Sequence, residues 1–566
     1  MSESDQFNGR LGLIFASIGA AIGTGNIWRF PRMVGANGGG TFLIPWLIFL
    51  FAWSIPLVIA EYAMGKRSRT GTIGTFRIFA GRRFAWMGLW TAWISTAIGF
   101  YYAVVSGWTL KYFQLGITGA LNGDEVDTTE VWNAFLQSSG QVIFFQFVVI
   151  LLVLGTIWKG AKAIEKVNFY LMISLFVLLF LTLFLSLWMD LSDGTLDGAL
   201  FMFTVDFDML MEPEVWINGL SQSAWSCSAG MGMCITYAVY MSKDEDTVLN
   251  AFTMGLANNS ISIIAGLAVL SAIFAVNPDP LATVTGGSSA ITFLALPEVF
   301  AQAPGGAIGP LIMTAMFFLA LSFAALTSMI STVELCVRNF VDHGYERERS
   351  VLITGLALFI FGLPSAVMWI KFDSAGVAFP EFLEVQDHIW GYGLMFSGLF
   401  IAFSIWRYGF MKWRKAVEDG TAPPGFAGYL GLGVSAFRDD FINTGDNDLE
   451  VGRWWDILIY IAFPVLFFIL MFSYFSDMIA NTPNVWDPSN PRGLSIILLF
   501  WGVVAILFMI LNKKLIERPL FRNVPEGADA DISELPGGSD ELVGQVGDVI
   551  IGFEHLTASV DAELAD

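Results

Sequence analysis

The chain has 566 residues, of which 55% are hydrophobic, 15% aromatic and only 14% charged. This composition is too apolar for ordinary soluble domains, and the apolar part is too extensive for one or two membrane anchors. Apolar runs of about 20 residues, the length that crosses a hydrocarbon core, recur along the chain as far as residue 512. They are continuous and do not alternate with period two, so they predict an all-α integral membrane protein and exclude a β-barrel.

The apolar runs predict twelve membrane spans. From span one to span twelve, the predicted bounds are 10–35, 40–64, 85–113, 139–157, 164–189, 214–241, 248–276, 307–341, 349–370, 388–408, 453–476 and 493–512. An even number of crossings places both chain termini on the same side of the membrane.

The basic residues predict which side that is. They cluster after spans two, four, eight and twelve, whereas loops on the opposite side, such as 123–125 and 190–197, are acidic or neutral. Because basic residues near span ends favour the cytoplasmic side, both termini are expected in the cytoplasm. The first apolar run begins near residue 11, is long and has no charged leader, so no cleavable signal peptide is expected. The basic residues are Lys66, Arg67, Arg69, Arg77, Arg82, Arg83, Lys159, Lys162, Lys166, Arg338, Arg347, Arg349, Lys513, Lys514, Arg518 and Arg522.

The net charge of −21 reflects 50 acidic and 29 basic residues. Residues 523–566 contain eleven acidic residues and no Lys or Arg, which favours a solvated, largely disordered cytoplasmic tail. A salt-rich cytoplasm is the alternative explanation of the acidic excess. Neither reading predicts a nucleic-acid partner.

Several kinds of chemistry have no counterpart in the sequence. The three histidines lie in different segments, so no metal cluster is expected, and no phosphate-cradling loop indicates an ATP-driven pump. No set of acid, base and nucleophile predicts an enzyme. All three cysteines lie inside predicted spans as small packing residues, with no disulfide expected: Cys227, Cys234 and Cys336.

Two predicted spans are interrupted by small residues at mid-membrane depth. Span one contains three glycines and an amide between Gly19 and Asn26, and span six contains two glycines between Ser226 and Gly232. Irregular backbone at this depth is tolerated only where protein or a watery cavity satisfies the freed amides and carbonyls. Paired interruptions in two halves of a chain indicate the substrate site of an inverted-repeat transporter.

The sequence around both interruptions resembles the neurotransmitter:sodium symporter family. The matching segments cover spans one to ten, whereas spans eleven and twelve match only in hydropathy. These segments are RLGL at 10–13, GAAIGTGNIWRFP at 19–31, NGGGTFLIPW at 37–46, IPLVIAEYAMG at 55–65, YYAVVSGWTL at 101–110, CITYAVYMSKDED at 234–246, LANN at 256–259 and AALTS at 324–328.

The resemblance implies a fold and a domain organisation. Spans one to five and six to ten would form an inverted five-helix repeat with broken helices one and six, followed by two C-terminal helices. The expected segments are a cytoplasmic N-terminus at 1–9, the first repeat at 10–189, the second repeat at 214–408, a cytoplasmic loop at 409–452, spans eleven and twelve at 453–512 and the acidic tail at 513–566.

The function implied is a sodium-coupled symporter that imports a small neutral amino acid by alternating access. No acidic residue matches the pocket positions, and Met231 is adaptable, so the expected side chain is hydrophobic or aromatic. A non-transporting amino-acid sensor with the same fold is the alternative. The expected partners are the amino acid and the lipid bilayer, and the oligomeric state is left open.

Two sodium sites are implied by the resemblance. Residues 324, 327 and 328 are three and four apart and share one helix face, which supports the second site independently. The alternative for the two hydroxyls is that they bond carbonyls of their own helix. The first site would use Ala21, Asn26, Ser226 and Asn258, and the second Gly19, Ile22, Ala324, Thr327 and Ser328.

The substrate carboxylate would meet amides of the unwound span one and the hydroxyl of Tyr102, since helix-end amides favour anions. Glu61 is expected to bond the unwound backbone without touching the substrate. The full set of expected substrate-binding residues is Ala21, Thr24, Gly25, Ile98, Tyr102, Trp225, Ser228, Met231, Ser328 and Thr332.

A chloride site is a further expectation. Ser262 stands one turn after Asn258, where chloride-dependent relatives place serine and chloride-independent relatives often place glutamate. Trp46 replaces the tyrosine usual in the family, so an indole N–H would have to substitute for a hydroxyl. The expected set is Trp46, Gln222, Ser226, Asn258 and Ser262.

Gates on both sides of the site are implied as well. Arg29 and Asp387 match the pair that closes the outer side, with Tyr102 and Trp225 stacked as an aromatic lid beneath them. Asp342 matches the acidic residue of the inner gate, but Ser4 and Phe7 occupy the stretch that supplies its basic partner. Either another base closes the inner side or closure there is looser.

Overall fold

The computed structural model describes residues 7, 10–123, 126–242, 245–285, 291–373, 376–444 and 447–517. Of the predicted N-terminal segment, only Phe7 is therefore described. The acidic tail beyond residue 517 lies outside the described residues.

Ten helices within these residues are long and apolar enough to cross a membrane. They correspond to the ten predicted spans without an interruption, so the prediction of a multi-pass, all-α membrane protein is confirmed. Their bounds are Gly40–Ser68, Arg82–Thr118, Ser139–Ile157, Ala161–Asp190, Thr247–Val276, Ile308–Asp342, Arg347–Val367, Glu381–Glu418, Arg453–Asn481 and Leu494–Asn512.

Spans one and six are each built from shorter pieces. Span one consists of the helix Arg10–Ala21, a π-helical turn at Gly25–Arg29 and the helix Phe30–Ala36. Span six consists of Pro213–Ser226 and Met233–Ala238. Both breaks fall in the glycine-containing stretches identified in the sequence, because glycine lowers the cost of leaving the helix.

Shorter elements connect the spans. A two-stranded antiparallel hairpin pairs Ile370–Phe372 with Ala378–Pro380, which the sequence did not predict because strands of three residues carry too little periodicity. The short helices are Thr72–Phe79, Thr128–Gln137, Asp197–Phe203, Pro280–Thr285, Leu296–Phe300 and Phe426–Gly428. The helix of span twelve extends beyond Asn512 and covers Leu494–Glu517.

The two broken spans lie among the long helices of the bundle. Spans three and eight pack closely against each other, and the helix Arg10–Ala21 of span one packs against spans five, seven and eight. Spans eleven and twelve expose apolar side chains such as Phe468, Phe472 and Ile510. These exposed faces suit lipid, whereas the breaks are enclosed by protein, as irregular backbone at membrane depth requires.

Candidate functional site

The break in span one exposes backbone groups of opposite polarity. Its helix ends at Ala21, and Asn26 Oδ1 accepts a hydrogen bond from the backbone N–H of Gly23 at 2.9 Å. Among the described residues, no hydrogen bond ends on the carbonyl oxygens of Gly19 or Ala21. The Ala21 carbonyl belongs to the expected first sodium site, and the Gly19 carbonyl belongs to the expected second site.

The break in span six is held open by Glu61 of span two. Ser228, Gly230 and Gly232 have left-handed backbone conformations, with φ of 51°, 88° and 80°. The backbone N–H groups of Gly230 and Gly232 donate to Glu61 Oε1 and Oε2 at 2.5 and 3.1 Å, which is the expected contact of this carboxylate with the unwound backbone. Ser228 Oγ donates to the carbonyl of Ala20 at 3.1 Å and so connects the two breaks.

The side chains expected at the first sodium site converge in the structure. Asn26 Nδ2 lies 2.8 Å from Asn258 Oδ1 and 3.3 Å from Ser226 Oγ, and Asn258 Nδ2 lies 2.9 Å from Ser226 Oγ. All three side chains are buried. Residues of spans one, six and seven, more than 200 positions apart at the extremes, therefore form one oxygen-rich cluster.

The oxygens expected at the second sodium site also converge. Ser328 Oγ donates to the carbonyl of Ile22 at 3.0 Å, and Thr327 Oγ1 donates to the carbonyl of Ala324 at 3.0 Å. Thr327 thus bonds its own helix, as the alternative reading supposed, but its Oγ1 also lies 3.5 Å from the Ile22 carbonyl that Ser328 bonds. A β-carbon added to Gly19 would lie 3.2 Å from Thr327 Cβ, which places span one directly against span eight.

A polar end of the expected substrate pocket forms beside span three. The backbone N–H of Thr24 donates to Tyr102 Oη at 3.1 Å, and Thr24 Oγ1 lies 3.3 Å from the same oxygen. A β-carbon on Gly23 would lie 2.8 Å from Ser328 Oγ, whereas one on Gly25 would meet nothing within 4 Å. The turn is therefore tightly packed at Gly23 and open at Gly25, which leaves a small space at the helix end.

The expected apolar end of the pocket belongs to one hydrophobic cluster. Met231 is buried in this cluster, and Ile98, Tyr102 and Trp225 pack against it as partly buried residues. Thr332 Oγ1 donates a hydrogen bond to the Ser328 carbonyl of the same helix at 3.0 Å. Among the described ring pairs, Tyr102 and Trp225 do not stack, which differs from the lid expected from the sequence.

Ser262 of the expected chloride set adjoins the first sodium cluster. Asn26 Nδ2 donates to Ser262 Oγ at 2.8 Å, and Ser262 Oγ donates to the Asn258 carbonyl at 3.3 Å. Trp46 Nε1 and Gln222 Oε1 are buried without a hydrogen-bond partner. Trp46 therefore carries a spare N–H donor, as replacement of a tyrosine hydroxyl would require.

The outer gate residues are close in space but bond other groups. Arg29 Nη2 donates to Ser221 Oγ at 3.2 Å, and Asp387 Oδ1 accepts a hydrogen bond from Tyr101 Oη at 2.7 Å. No ion pair joins Arg29 to Asp387 among the described residues. In the described conformation, Arg29 and Asp387 are therefore not in contact with each other.

Asp342, the acidic residue expected at the inner gate, pairs with a base that sequence reasoning missed. Asp342 Oδ1 lies 2.7 Å from Arg338 Nη2, one turn earlier on the same helix, and Asp342 Oδ2 accepts the backbone N–H of Gly71 at 2.6 Å. Arg338 Nη2 also lies 3.4 Å from the carbonyl of Arg69. The i, i+4 spacing of Arg338 and Asp342 was readable in the sequence. Of Ser4 and Phe7, which occupy the stretch expected to supply the missing base, Ser4 lies outside the described residues.

Sequence reasoning also missed a buried ion pair near this end of span eight. Glu334 is fully buried, pairs with Arg347 at 2.5 Å and accepts a hydrogen bond from Tyr240 Oη. Arg347 donates to the carbonyl of Ile157 as well and so connects spans four, eight and nine. The signal in the sequence was a lone acid within the apolar run of span eight, which is costly unless it is paired.

Other chemistry was not found in the described part of the chain. No group of three or more His, Cys, Asp or Glu side chains there could hold a metal ion. Cys227, Cys234 and Cys336 are free thiols.

The chain is similar to known transporters. It is 30% identical over 408 residues to the uncharacterized sodium-dependent transporter YhdH of Bacillus subtilis, covering 70% of this chain and 87% of YhdH. It is 28% identical to the sodium-dependent neutral amino acid transporter B(0)AT2 of Mus musculus, covering 48% of this chain and 41% of that protein. The solved structure of MhsT in complex with L-phenylalanine matches with a TM-score of 0.66 and 28% identity, covering 83% of this chain and 99% of MhsT.

The sequence profile of the Sodium:neurotransmitter symporter family matches residues 4–141 and 134–430, which is most of the chain. The members of this family are transporters and not enzymes. The matched segments include both helix breaks and the two oxygen-rich clusters beside them. Together with the fold, these matches show that the chain belongs to the sodium:neurotransmitter symporter family.

Proposed function

We propose that the chain imports a neutral amino acid with an apolar or aromatic side chain, driven by the sodium gradient. The observation that carries this proposal is the Thr24 amide facing Tyr102 Oη at 3.1 Å, between two oxygen-rich clusters. An N–H group at a helix end and a phenolic hydroxyl suit a substrate carboxylate. L-phenylalanine bound to MhsT and the neutral amino acids in the name of B(0)AT2 support the same substrate class.

Two sodium ions would enter with each substrate. The first would bind Ala21, Asn26, Ser226 and Asn258, close enough to the pocket for the substrate carboxylate to complete its shell. The second would bind between spans one and eight, at Gly19, Ile22, Ala324, Thr327 and Ser328. Because the first ion and the substrate would share a ligand, binding of each strengthens binding of the other. Inward movement of each charge releases about 2.3 kcal/mol per about 100 mV.

We further propose that chloride accompanies sodium. Asn26, Ser226, Asn258 and Ser262 carry donors near the first sodium cluster, and no carboxylate of the described residues joins this hydrogen-bonded set. The unpartnered N–H of Trp46 supplies a further donor. An anion here would offset the sodium charge in a low-dielectric site. Uptake should fall when chloride is replaced by gluconate, and unchanged uptake would contradict this part of the proposal.

Alternating access would use the two sets of charges around the site. Closure of the outer side brings Arg29 to Asp387, and opening of the inner side separates Asp342 from the backbone of Gly71. In this scheme, both termini lie in the cytoplasm, on the side of the basic loops. The sodium gradient then sets the direction as uptake.

The test is uptake of labelled L-phenylalanine, leucine and glycine into proteoliposomes that contain the purified protein. An imposed inward sodium gradient is compared with an equal gradient of potassium. Accumulation with sodium alone establishes symport, and the order of the three rates identifies the side-chain class. Binding without accumulation would contradict transport and favour a sensor.

A further inference from the structure

Asn168 of span five is a buried amide that makes no hydrogen bond of regular geometry. Its side chain is fully buried, and neither its nitrogen nor its oxygen has a hydrogen-bond partner. Leaving both ends of an amide unpaired inside a membrane protein is costly, and polar groups in such positions mark ion and substrate pathways. Neither the substrate pocket nor the two sodium clusters described above include this residue.

Asn168 lies next to the second of these clusters. A β-carbon added to Gly19 would lie 3.5 Å from Asn168 Nδ2 and 3.2 Å from Thr327 Cβ. Asn168 therefore faces the same point of span one as the hydroxyl-bearing face of span eight. The helix Arg10–Ala21 packs against both spans five and eight, so the amide is enclosed between the three helices.

Further oxygens continue from this point along span eight. Ser331 Oγ donates to the carbonyl of Thr327 at 3.0 Å and lies 2.7 Å from Tyr237 Oη. Asn168 lies near the same tyrosine hydroxyl, outside regular hydrogen-bond geometry. Glu334 follows three residues after Ser331. Positions 327, 331 and 334 lie on one helix face and extend over about 10 Å toward the Asp342 end of the helix.

We propose that Asn168 Oδ1, with the hydroxyls of Tyr237 and Ser331, forms a transient sodium site through which the second sodium ion leaves toward the cytoplasm. This inference rests on the proposed function and adds a step to it. Sodium prefers oxygen ligands, and a set without a carboxylate binds it weakly enough to pass it on. Phe7, whose ring packs edge-on against Tyr237 at 5.9 Å, covers the route until the inner side opens.

The experiment compares two modes of transport in Asn168→Leu, which keeps the side-chain volume and removes both polar ends. Net L-phenylalanine uptake requires release of sodium inside, whereas exchange of labelled for unlabelled L-phenylalanine with equal saturating sodium on both sides does not. Net uptake should fall about tenfold, as expected when one polar contact on the route is lost, while exchange stays near the wild-type rate. Equal losses in both modes, or no loss in either, would overturn the proposal.

Two further variants separate an ion route from a structural role. Gln146 of span four is another buried amide whose oxygen has no hydrogen-bond partner. Gln146→Leu should reduce net uptake and exchange equally or leave both unchanged. Asn168→Asp keeps the oxygen and adds charge, so it should bind radioactive sodium more tightly and release it more slowly. A purely structural amide, or one that holds a bridging water, predicts no change in sodium release for either Asn168 variant.

The same sodium measurement distinguishes this proposal from the proposed function. If the wild type shows no sodium-dependent uptake of any amino acid, the proposed function fails. Dissociation of radioactive sodium from the purified protein then still tests the site, because it needs no substrate. Wild-type dissociation that is no faster than that of Asn168→Leu would refute the transient site alone.

Discussion

Arg338 Nη2 and Asp342 Oδ1 lie 2.7 Å apart on consecutive turns of span eight, and both residues are buried. Asp342 also accepts the backbone N–H of Gly71 at 2.6 Å, so one carboxylate connects span eight to the loop after span two. An ion pair within a single helix cannot close a gap between helices. The contact that can do so is the bond from Asp342 to Gly71.

Asp342→Asn should therefore weaken closure of the inner side. The amide keeps an acceptor for Gly71 but loses the charge that Arg338 neutralises, and a buried cation without its partner is costly. We expect net uptake to fall severalfold and inner-side residues to react faster with a membrane-permeant thiol reagent, measured on a cysteine introduced at Ser17. Arg414→Ala breaks an exposed pair with the same i, i+4 spacing and serves as the control. Normal uptake by Asp342→Asn would show that this contact does not hold the inner side.

Glu61→Gln tests the support of the broken span six. Glutamine retains one acceptor oxygen but presents an NH₂ group to the second backbone donor, so Gly230 or Gly232 loses its bond. An unsatisfied buried N–H costs about 1–3 kcal/mol, and we expect lower thermal stability together with loss of uptake. The exposed Glu348→Gln variant should retain wild-type stability and uptake. Unchanged melting of Glu61→Gln would mean that the backbone holds its shape without the carboxylate.

Thr327→Val tests the second sodium cluster. Valine has nearly the same shape as threonine but lacks the Oγ1 ligand, so the sodium concentration for half-maximal uptake should rise about tenfold, equivalent to about 1.4 kcal/mol. Thr182 is also buried, and its Oγ1 bonds the Leu178 carbonyl of its own helix at 2.9 Å. Thr182→Val is therefore the matched control and should leave the sodium dependence unchanged. Equal behaviour of the two variants would place the second ion elsewhere.

Tyr102→Phe tests the polar end of the substrate pocket. The change removes the hydroxyl that faces the Thr24 amide, and loss of one hydrogen bond should weaken substrate binding by about 0.5–1.5 kcal/mol. Equilibrium binding of labelled L-phenylalanine at saturating sodium measures this directly. Tyr112 has a buried hydroxyl without a partner, so Tyr112→Phe is the control that removes a hydroxyl without removing a bond. Wild-type affinity in Tyr102→Phe would exclude the hydroxyl from substrate binding.

The spans and the positions of both breaks followed from the sequence alone. A continuous apolar run of about 20 residues has few stable conformations in lipid other than a helix, so composition determines the spans. The three glycines between Gly19 and Gly25 and the pair at Gly230 and Gly232 mark the breaks, because glycine tolerates the backbone conformations required there. The positions of Asn26 and Asn258 could be named only through the family resemblance.

The tertiary structure decided which side chains pair with which. Asn26 and Asn258 lie 232 positions apart, and only packing of spans one and seven brings their side chains to 2.8 Å. The same packing leaves Asn168 without a regular hydrogen bond beside Gly19 and brings Asp342 to the backbone of Gly71. Hydropathy fixes where a helix begins and ends, but the rotation of each helix about its axis is set by contacts with its neighbours, and those contacts exist only in the folded bundle.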